Sequence, residues 1–161
     1  MIKAIIIDDE MHCLKTLSML LKEYCPDVQV VKQCDNAEDG IEAVKKLKPD
    51  LVFLDIEMPH MNGFEMLEKF SEISFALIFT TGYDQYAIKA FRFSALDYLL
   101  KPIEPKELKK AVEIGALYGC FTLLVIDSGI FPVLIFFSRN FSFKQLSLKL
   151  SGSFEQNSIT L

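Results

Sequence analysis

The stretch LVFLDIEMPHMNG, residues 51–63, decides the fold. Leu51–Leu54 is the most hydrophobic short run of the first hundred residues and reads as a strand buried on both faces. Asp55 ends that run with a charge, and Pro59, Asn62 and Gly63 then form a turn that leads into a helix through Phe70. Working outward, the same unit recurs on both sides.

Toward the N-terminus, Ile2–Ile7 is a β-branched strand (β1), followed by Glu10–Tyr24 as a helix (α1) with Leu14, Leu17, Leu20 and Leu21 on one stripe and Pro26 beyond its end. Val28–Cys34 is β2, and Asn36 is placed to cap α2, Ala37–Leu47, before Pro49. Leu51–Leu54 is then β3 and the helix reaching Phe70 is α3. Toward the C-terminus, Phe75–Thr80 (β4), Asp84–Phe91 (α4), Ala95–Leu100 (β5) and Pro105–Ile114 (α5) complete the series. Short apolar runs alternating with helical periodicity predict an α/β fold, a five-stranded parallel doubly wound sheet flanked by five helices. In such sheets the functional crevice lies at the carboxyl ends of the strands, where the strand order reverses.

The residues at those ends carry the chemistry. Asp8, Asp9 and Glu10 follow β1, Asp55 and Glu57 follow β3, Thr80 and Thr81 stand at the end of β4, and Lys101 follows β5. Each aspartate taken singly reads equally well as a helix cap. Four consecutive strand ends each carrying a fitting group do not. Crowded carboxylates repel unless a cation sits among them, and a hard, oxygen-preferring ion such as Mg²⁺ suits the supply. A lysine and a hydroxyl beside one aspartate are the parts a carboxylate needs to attack a phosphoryl group and to steady its oxygens during transfer.

The motifs IIIDDE (5–10), LVFLDIEMPHMNG (51–63), TTG (80–82) and DYLLKP (97–102) resemble those of the receiver domains of bacterial two-component response regulators. The resemblance covers residues 1–114 and implies the flavodoxin-like strand order 2-1-3-4-5. It implies that Asp55 is the phosphoacceptor, served by a sensor histidine kinase. It makes Asp9 the direct Mg²⁺ ligand, Asp8 a neighbour acting mostly through water, and the main-chain carbonyl of Glu57 a further ligand. Thr81 matches the switch hydroxyl, Tyr98 the switch aromatic, and Lys101 the lysine that contacts the phosphoryl group. The Lys101–Pro102 bond is expected to be cis. Gly82 stands where alanine is more common, a change that keeps the residue small. Phosphorylation is then expected to repack the face of α4, β5 and α5 for a partner, which in this family is often a second copy. The segment FTTGYDQYAIKAF (79–91) resembles the LytTR subclass, whose receivers precede a β-rich DNA-binding domain.

Other function classes fit less well. Phosphatases of the haloacid dehalogenase class also use an aspartate nucleophile with Mg²⁺, but they carry D-x-D where this chain has Asp55-Ile56-Glu57. A flavodoxin-like cofactor module needs a hydroxyl- and glycine-rich loop after β1, where Asp8-Asp9-Glu10 would repel a phosphate. The expectation is therefore a signalling domain and not a free-standing enzyme. The four cysteines contain no C-x-x-C pair, and His12 and His60 sit at no metal-ligand spacing, so a zinc site finds no support in the sequence. The cysteines read as thiols of a reducing cytoplasm, and no secretory leader opens the chain.

The 161 residues are uneven in charge. Up to Ile114 there are 34 charged residues and a net charge of -6, whereas the 47 residues 115–161 hold five charged residues and seven of the 14 phenylalanines. The predicted organisation is a receiver domain over 1–114 and a hydrophobic tail over 115–161. Three basic residues in the tail are too few for DNA binding, so contact with DNA would need an output domain that these residues do not display. For the tail three readings stay open. Residues 116–137 are long enough to span a bilayer, although Asp127, Gly129 and Pro132 oppose it. Residues 123–126 and 133–137 fit two strands of a hairpin. The whole segment fits a truncated or frame-shifted remnant of an output domain.

Overall fold

The structure is a computed structural model and describes residues 1–86, 90, 93–118, 122–126 and 133–137. The chain divides into two compact units, Met1–Gly119 and Cys120–Leu161.

In the first unit β1 (Ile2–Ile7), β2 (Val28–Cys34), β3 (Leu51–Leu54), β4 (Ala76–Thr81) and β5 (Asp97–Leu100) form one sheet in the order β2-β1-β3-β4-β5. Every pairing in it is parallel. The three central strands bury both faces, and the two-residue period of a strand sorts their side chains into two cores. Ile5, Ile7, Val52, Leu54, Leu77 and Phe79 face one core with α2 and α3 residues such as Val44, Phe64 and Met66. Ala4, Ile6, Leu51, Phe53, Ala76 and Ile78 face the other with Leu14, Leu17 and Leu21 of α1 and Leu108, Ala111 and Val112 of α5. The chain leaves β1 toward β2 on one side and returns to β3 on the other. The carboxyl ends of β1 and β3 therefore flank the point where strand order reverses.

Local chemistry sets the helix ends. Glu10 occupies the N-cap of α1, Met11–Tyr24. Asn36 caps α2, Ala37–Leu47, accepting from the Asp39 N–H at 2.8 Å. That helix closes on Lys48, a non-glycine residue in the left-handed region at φ 46°, whose N–H reaches the Val44 carbonyl. Asn62 and Glu65 form a reciprocal capping box at α3, Gly63–Leu67. This helix is shorter than the periodicity to Phe70 predicts. The Lys69 and Phe70 N–H groups donate to carbonyls three residues back, which tightens the last turn and ends the helix.

Three further boundaries differ from expectation. Strand β4 starts and ends one residue later, so Thr81 pairs with Leu100 in the ladder and is not a loop residue. Strand β5 is confined to Asp97–Leu100. Helix α5 continues past Ile114 to Tyr118, because Leu108, Ala111, Val112 and Gly115 keep one buried stripe at helical spacing. The fall in charge after Ile114 thus lies inside a helix. Of α4 the structure describes an opening 3₁₀ turn, Asp84–Tyr86, and Ala90; residues 87–89 and 91–92 lie outside the described residues.

In the second unit β6 (Thr122–Ile126) and β7 (Val133–Phe137) pair antiparallel, with Ile126 opposite Val133 and Thr122 opposite Phe137. Two strands in residues 116–137 exclude a single spanning helix there. Among the described residues no helix is long and apolar enough to cross a membrane.

Candidate functional site

The sheet ladder extends one residue past each strand end and fixes the backbone of the site. The Asp8 N–H donates to the Cys34 carbonyl at 3.0 Å, the Asp55 N–H to the Ile7 carbonyl at 2.8 Å, and the Lys101 N–H to the Thr81 carbonyl at 2.8 Å. Carboxylates of adjacent strands β1 and β3 are thereby set side by side, and Lys101 is delivered from the sheet edge. The Lys101–Pro102 bond is cis, as expected.

Asp8 and Asp55 are nearly buried, at 2% and 4% exposure, and Asp9 is half-buried. Oxygens from the three carboxylates lie within 4.8 Å of one another. Lys101 Nζ joins the two buried ones, at 2.7 Å from Asp8 Oδ2 and 2.9 Å from Asp55 Oδ2. The other oxygen of Asp55 accepts from the Ile56 N–H at 2.6 Å and lies 3.4 Å from the Glu57 N–H. Asp8 Oδ1 accepts from the Glu10 N–H at 3.0 Å.

Electrostatics follow from this burial. Loss of water pushes the Asp55 carboxyl above its ordinary range, the Lys101 contact pulls it back, and Asp8 raises it further. Asp8 is likewise pushed up by burial and lowered by Lys101. Burial alone would lower the Lys101 ammonium, but the two carboxylates together hold it well above the usual lysine range. Three carboxylates and one ammonium leave the pocket with two net negative charges. That donor set is all oxygen, crowded and under-neutralised, so it fits a hard divalent cation.

The turn after β3 approaches this pocket closely. The Gly63 N–H donates to the Ile56 carbonyl at 2.8 Å, and a Cβ on Gly63 would stand 2.4 Å from the Asp55 carbonyl oxygen. Glycine is required there because any side chain would collide with the backbone that carries Asp55. Gly82 is different, since a Cβ there would meet nothing within 4 Å.

The hydroxyls of Thr80 and Thr81 are both buried and without a hydrogen-bond partner. Alternation along β4 puts Thr81 on the face of Leu77 and Phe79 and Thr80 on the face of Ala76 and Ile78. Tyr98, half-buried beside Phe79, donates its hydroxyl to the Tyr83 carbonyl. Tyr86, in the opening turn of α4, donates to Glu57 Oε1 at 2.7 Å. These two bonds tie the segment after β4 to β5 and to the loop after β3. The sequence gives no sign of either, because both join residues far apart in the chain.

An open cleft of about 800 Å³ contains this constellation, with Asp8, Asp9, Asp55, Thr81 and Lys101 in its wall. Every residue singled out at the strand ends therefore meets in one place. Tyr98 stands on the neighbouring strand, outside the cleft wall, with its hydroxyl on the Tyr83 carbonyl.

Fold and site together define a doubly wound α/β domain with an acidic pocket at its switch point. Residues 4–113 match the response regulator receiver domain, and the chain belongs to that family. The transcriptional regulatory protein BtsR of Escherichia coli K12 is 46% identical over 113 residues, which cover 70% of this chain and 47% of that protein. A response regulatory protein of Vibrio cholerae is 43% identical over 114 residues, covering 70% and 48%. The chain thus spans about half the length of the curated relatives it matches. Among solved structures, the response regulatory domain of mrkE from Klebsiella pneumoniae superposes with a TM-score of 0.63 at 27% identity, covering 69% of this chain and 92% of that one. The receiver domain of AraT from Geobacillus stearothermophilus gives 0.61 at 29% identity, covering 71% and 92%.

Proposed function

We propose that Asp55 of this receiver accepts a phosphoryl group from the histidine of a sensor kinase, and that the change at Asp55 is passed to the face built by α4, β5 and α5. The observation that carries the reading is the placement of Asp55. It is buried, with one oxygen held by backbone N–H groups and the other on Lys101. In the transfer a carboxylate oxygen attacks phosphorus, the P–N bond to the donor imidazole breaks, and that nitrogen keeps the electron pair and takes up a proton.

The residues that would hold Mg²⁺ are Asp9 and Asp55, with the Glu57 main-chain carbonyl and, through water, Asp8. The ion supplies neutralising charge to the phosphoryl oxygens. Lys101 sits on Asp55 before transfer and gains the phosphoryl oxygens as partners after it. Thr81 carries a buried hydroxyl with no partner, and a phosphoryl group on Asp55 gives it one. Moving Thr81 draws on the space beside Phe79, into which Tyr98 turns once its bond to the Tyr83 carbonyl is released. The opening turn of α4 then repacks as a two-state element.

The reading places the domain in the cytoplasm as a signalling module and not a free-standing enzyme. Its relatives' names support an output in transcription. The likeness of residues 79–91 to the LytTR subclass extends the proposal to a DNA-binding module of that kind, with pairing of two receivers through the α4–β5–α5 face. Incubation with acetyl phosphate and Mg²⁺ tests the acceptor. Intact mass gains one phosphoryl group in the wild type and none in Asp55→Asn. A persistent adduct on the variant refutes the assignment.

A further inference from the structure

Glu10, His12 and Cys13 each place a metal-ligating atom within 4.8 Å of the other two, in the wall of the same cleft, where Cys13 also neighbours Lys101 and Asp8. His12 Nε2 already lies 3.1 Å from Glu10 Oε2. The spacing i, i+2, i+3 does not predict this, because neighbouring side chains on a helix point in different directions. The convergence arises at the chain's entry into α1. Glu10 is the N-cap, with extended backbone at φ -90° and ψ 105°, so its side chain leaves the helical path and turns back over the first turn.

We propose that these three residues form a second metal site, selective for Zn²⁺ and similar borderline-soft ions. A carboxylate oxygen, an imidazole nitrogen and a thiolate sulfur are a zinc-type set, whereas Mg²⁺ demands oxygen. Donors bound at about 2.0–2.3 Å to one ion lie at most about twice that apart, so small side-chain rotations close the site. Burial and the nearby Asp8 charge push the Cys13 thiol up, so an incoming ion displaces its proton, and the resulting thiolate and the Glu10 carboxylate then supply two negative charges to a divalent ion. Three protein ligands leave a fourth position open to water. The buried Thr80 hydroxyl, which has no hydrogen-bond partner, lines the same cleft as Glu10, His12 and Cys13. The two sites would share one cleft and differ in hardness, so each ion has its own address.

The test is a titration of the reduced, metal-free full chain with Co²⁺, in excess Mg²⁺ to keep the carboxylate pocket filled. The wild type gives a near-ultraviolet thiolate-to-cobalt charge-transfer band at one equivalent, insensitive to further Mg²⁺ and abolished by one equivalent of Zn²⁺. Cys13→Ser loses the band. His12→Ala, at a side chain that is 77% exposed and outside the core, shifts the midpoint to at least about tenfold higher Co²⁺. Cys25 and Cys34 are buried free thiols. A band that persists in Cys13→Ser, a midpoint unmoved in His12→Ala, loss of the band to Mg²⁺, or no band in the wild type overturns the proposal.

Discussion

Replacing Lys101 by methionine keeps the length of the side chain and removes the one ammonium within salt-bridge distance of Asp8 and Asp55 among the described residues. Both carboxylates are nearly buried, so water in the cleft replaces the lost partner only in part. Carboxylates whose oxygens lie at most 4.8 Å apart repel by about 3.5 kcal/mol at an effective dielectric of 20. Removing one partner of a buried ion pair costs about 3–5 kcal/mol, a similar figure reached independently. Lys101→Met is therefore expected to lose about 3–4 kcal/mol at neutral pH without metal. For a domain of this size that is a fall in Tm of roughly 10–20 °C.

The sign of the pH dependence follows from burial. Both carboxyls are raised in the folded state above the ordinary 3.8, so the folded protein holds protons that the unfolded chain has released. Their contribution to stability falls as pH rises from 3.8 through the raised folded values, and without Lys101 that loss is larger and reaches higher pH. Below 3.8 both states are protonated and the variant approaches the wild type. The two ionised carboxylates raise the folded Lys101 ammonium above its ordinary 10.5, so its contribution is present where they are charged, fades as they are protonated, and is lost again as pH rises through the folded lysine value. The chain has no tryptophan, so the assay is urea unfolding followed by far-ultraviolet circular dichroism, in chelator and then in Mg²⁺. Mg²⁺ should stabilise the variant more than the wild type, because the ion replaces the missing charge. A deficit under about 1 kcal/mol at pH 7 in chelator, or one independent of pH, would refute the reasoning.

Gly63→Ala drives a Cβ to 2.4 Å from the Asp55 carbonyl oxygen and is expected to cost about 2–3 kcal/mol or more, while Gly82→Ala enters open space and should change stability by under about 0.5 kcal/mol. Paired unfolding curves check both. Thr81→Val removes a buried hydroxyl that has no partner, so the unphosphorylated protein should be as stable or up to about 1 kcal/mol more stable, yet the spectral change on treatment with acetyl phosphate should vanish. Amide chemical shifts of β5 report the second effect. Lys48→Gly relieves a left-handed non-glycine residue at the end of α2 and should raise stability by about 0.5–1 kcal/mol in the same unfolding assay.

The parts of this molecule that the sequence discloses are those set by short-range rules. Ile2–Ile7 and Leu51–Leu54 announce strands covered on both faces, and a charge directly after each marks the strand's end. Asn36 announces its own cap. Because strand ends in such a sheet share one edge, locating Asp8, Asp9, Asp55, Thr81 and Lys101 along the chain already locates them in space. What escapes this logic is set by packing. The early close of α3 depends on the turn at Lys69 and Phe70, and the length of α5 on a buried stripe that outlasts its charged residues. The Tyr86–Glu57 bond and the convergence of Glu10, His12 and Cys13 depend on how loops and a helix entry are aimed, which no local pattern encodes.

The central claim is that Asp55, among the clustered carboxylates, is the one that carries phosphorus. Treating the phosphorylated full chain with borohydride reduces an aspartyl phosphate to homoserine, and peptide mass spectrometry then reads the modified position. Phosphorylation at Asp55 yields homoserine at position 55 and leaves unmodified aspartate at positions 8 and 9. Homoserine at position 8 or 9, or none at position 55 in a chain that has gained a phosphoryl group, would contradict it.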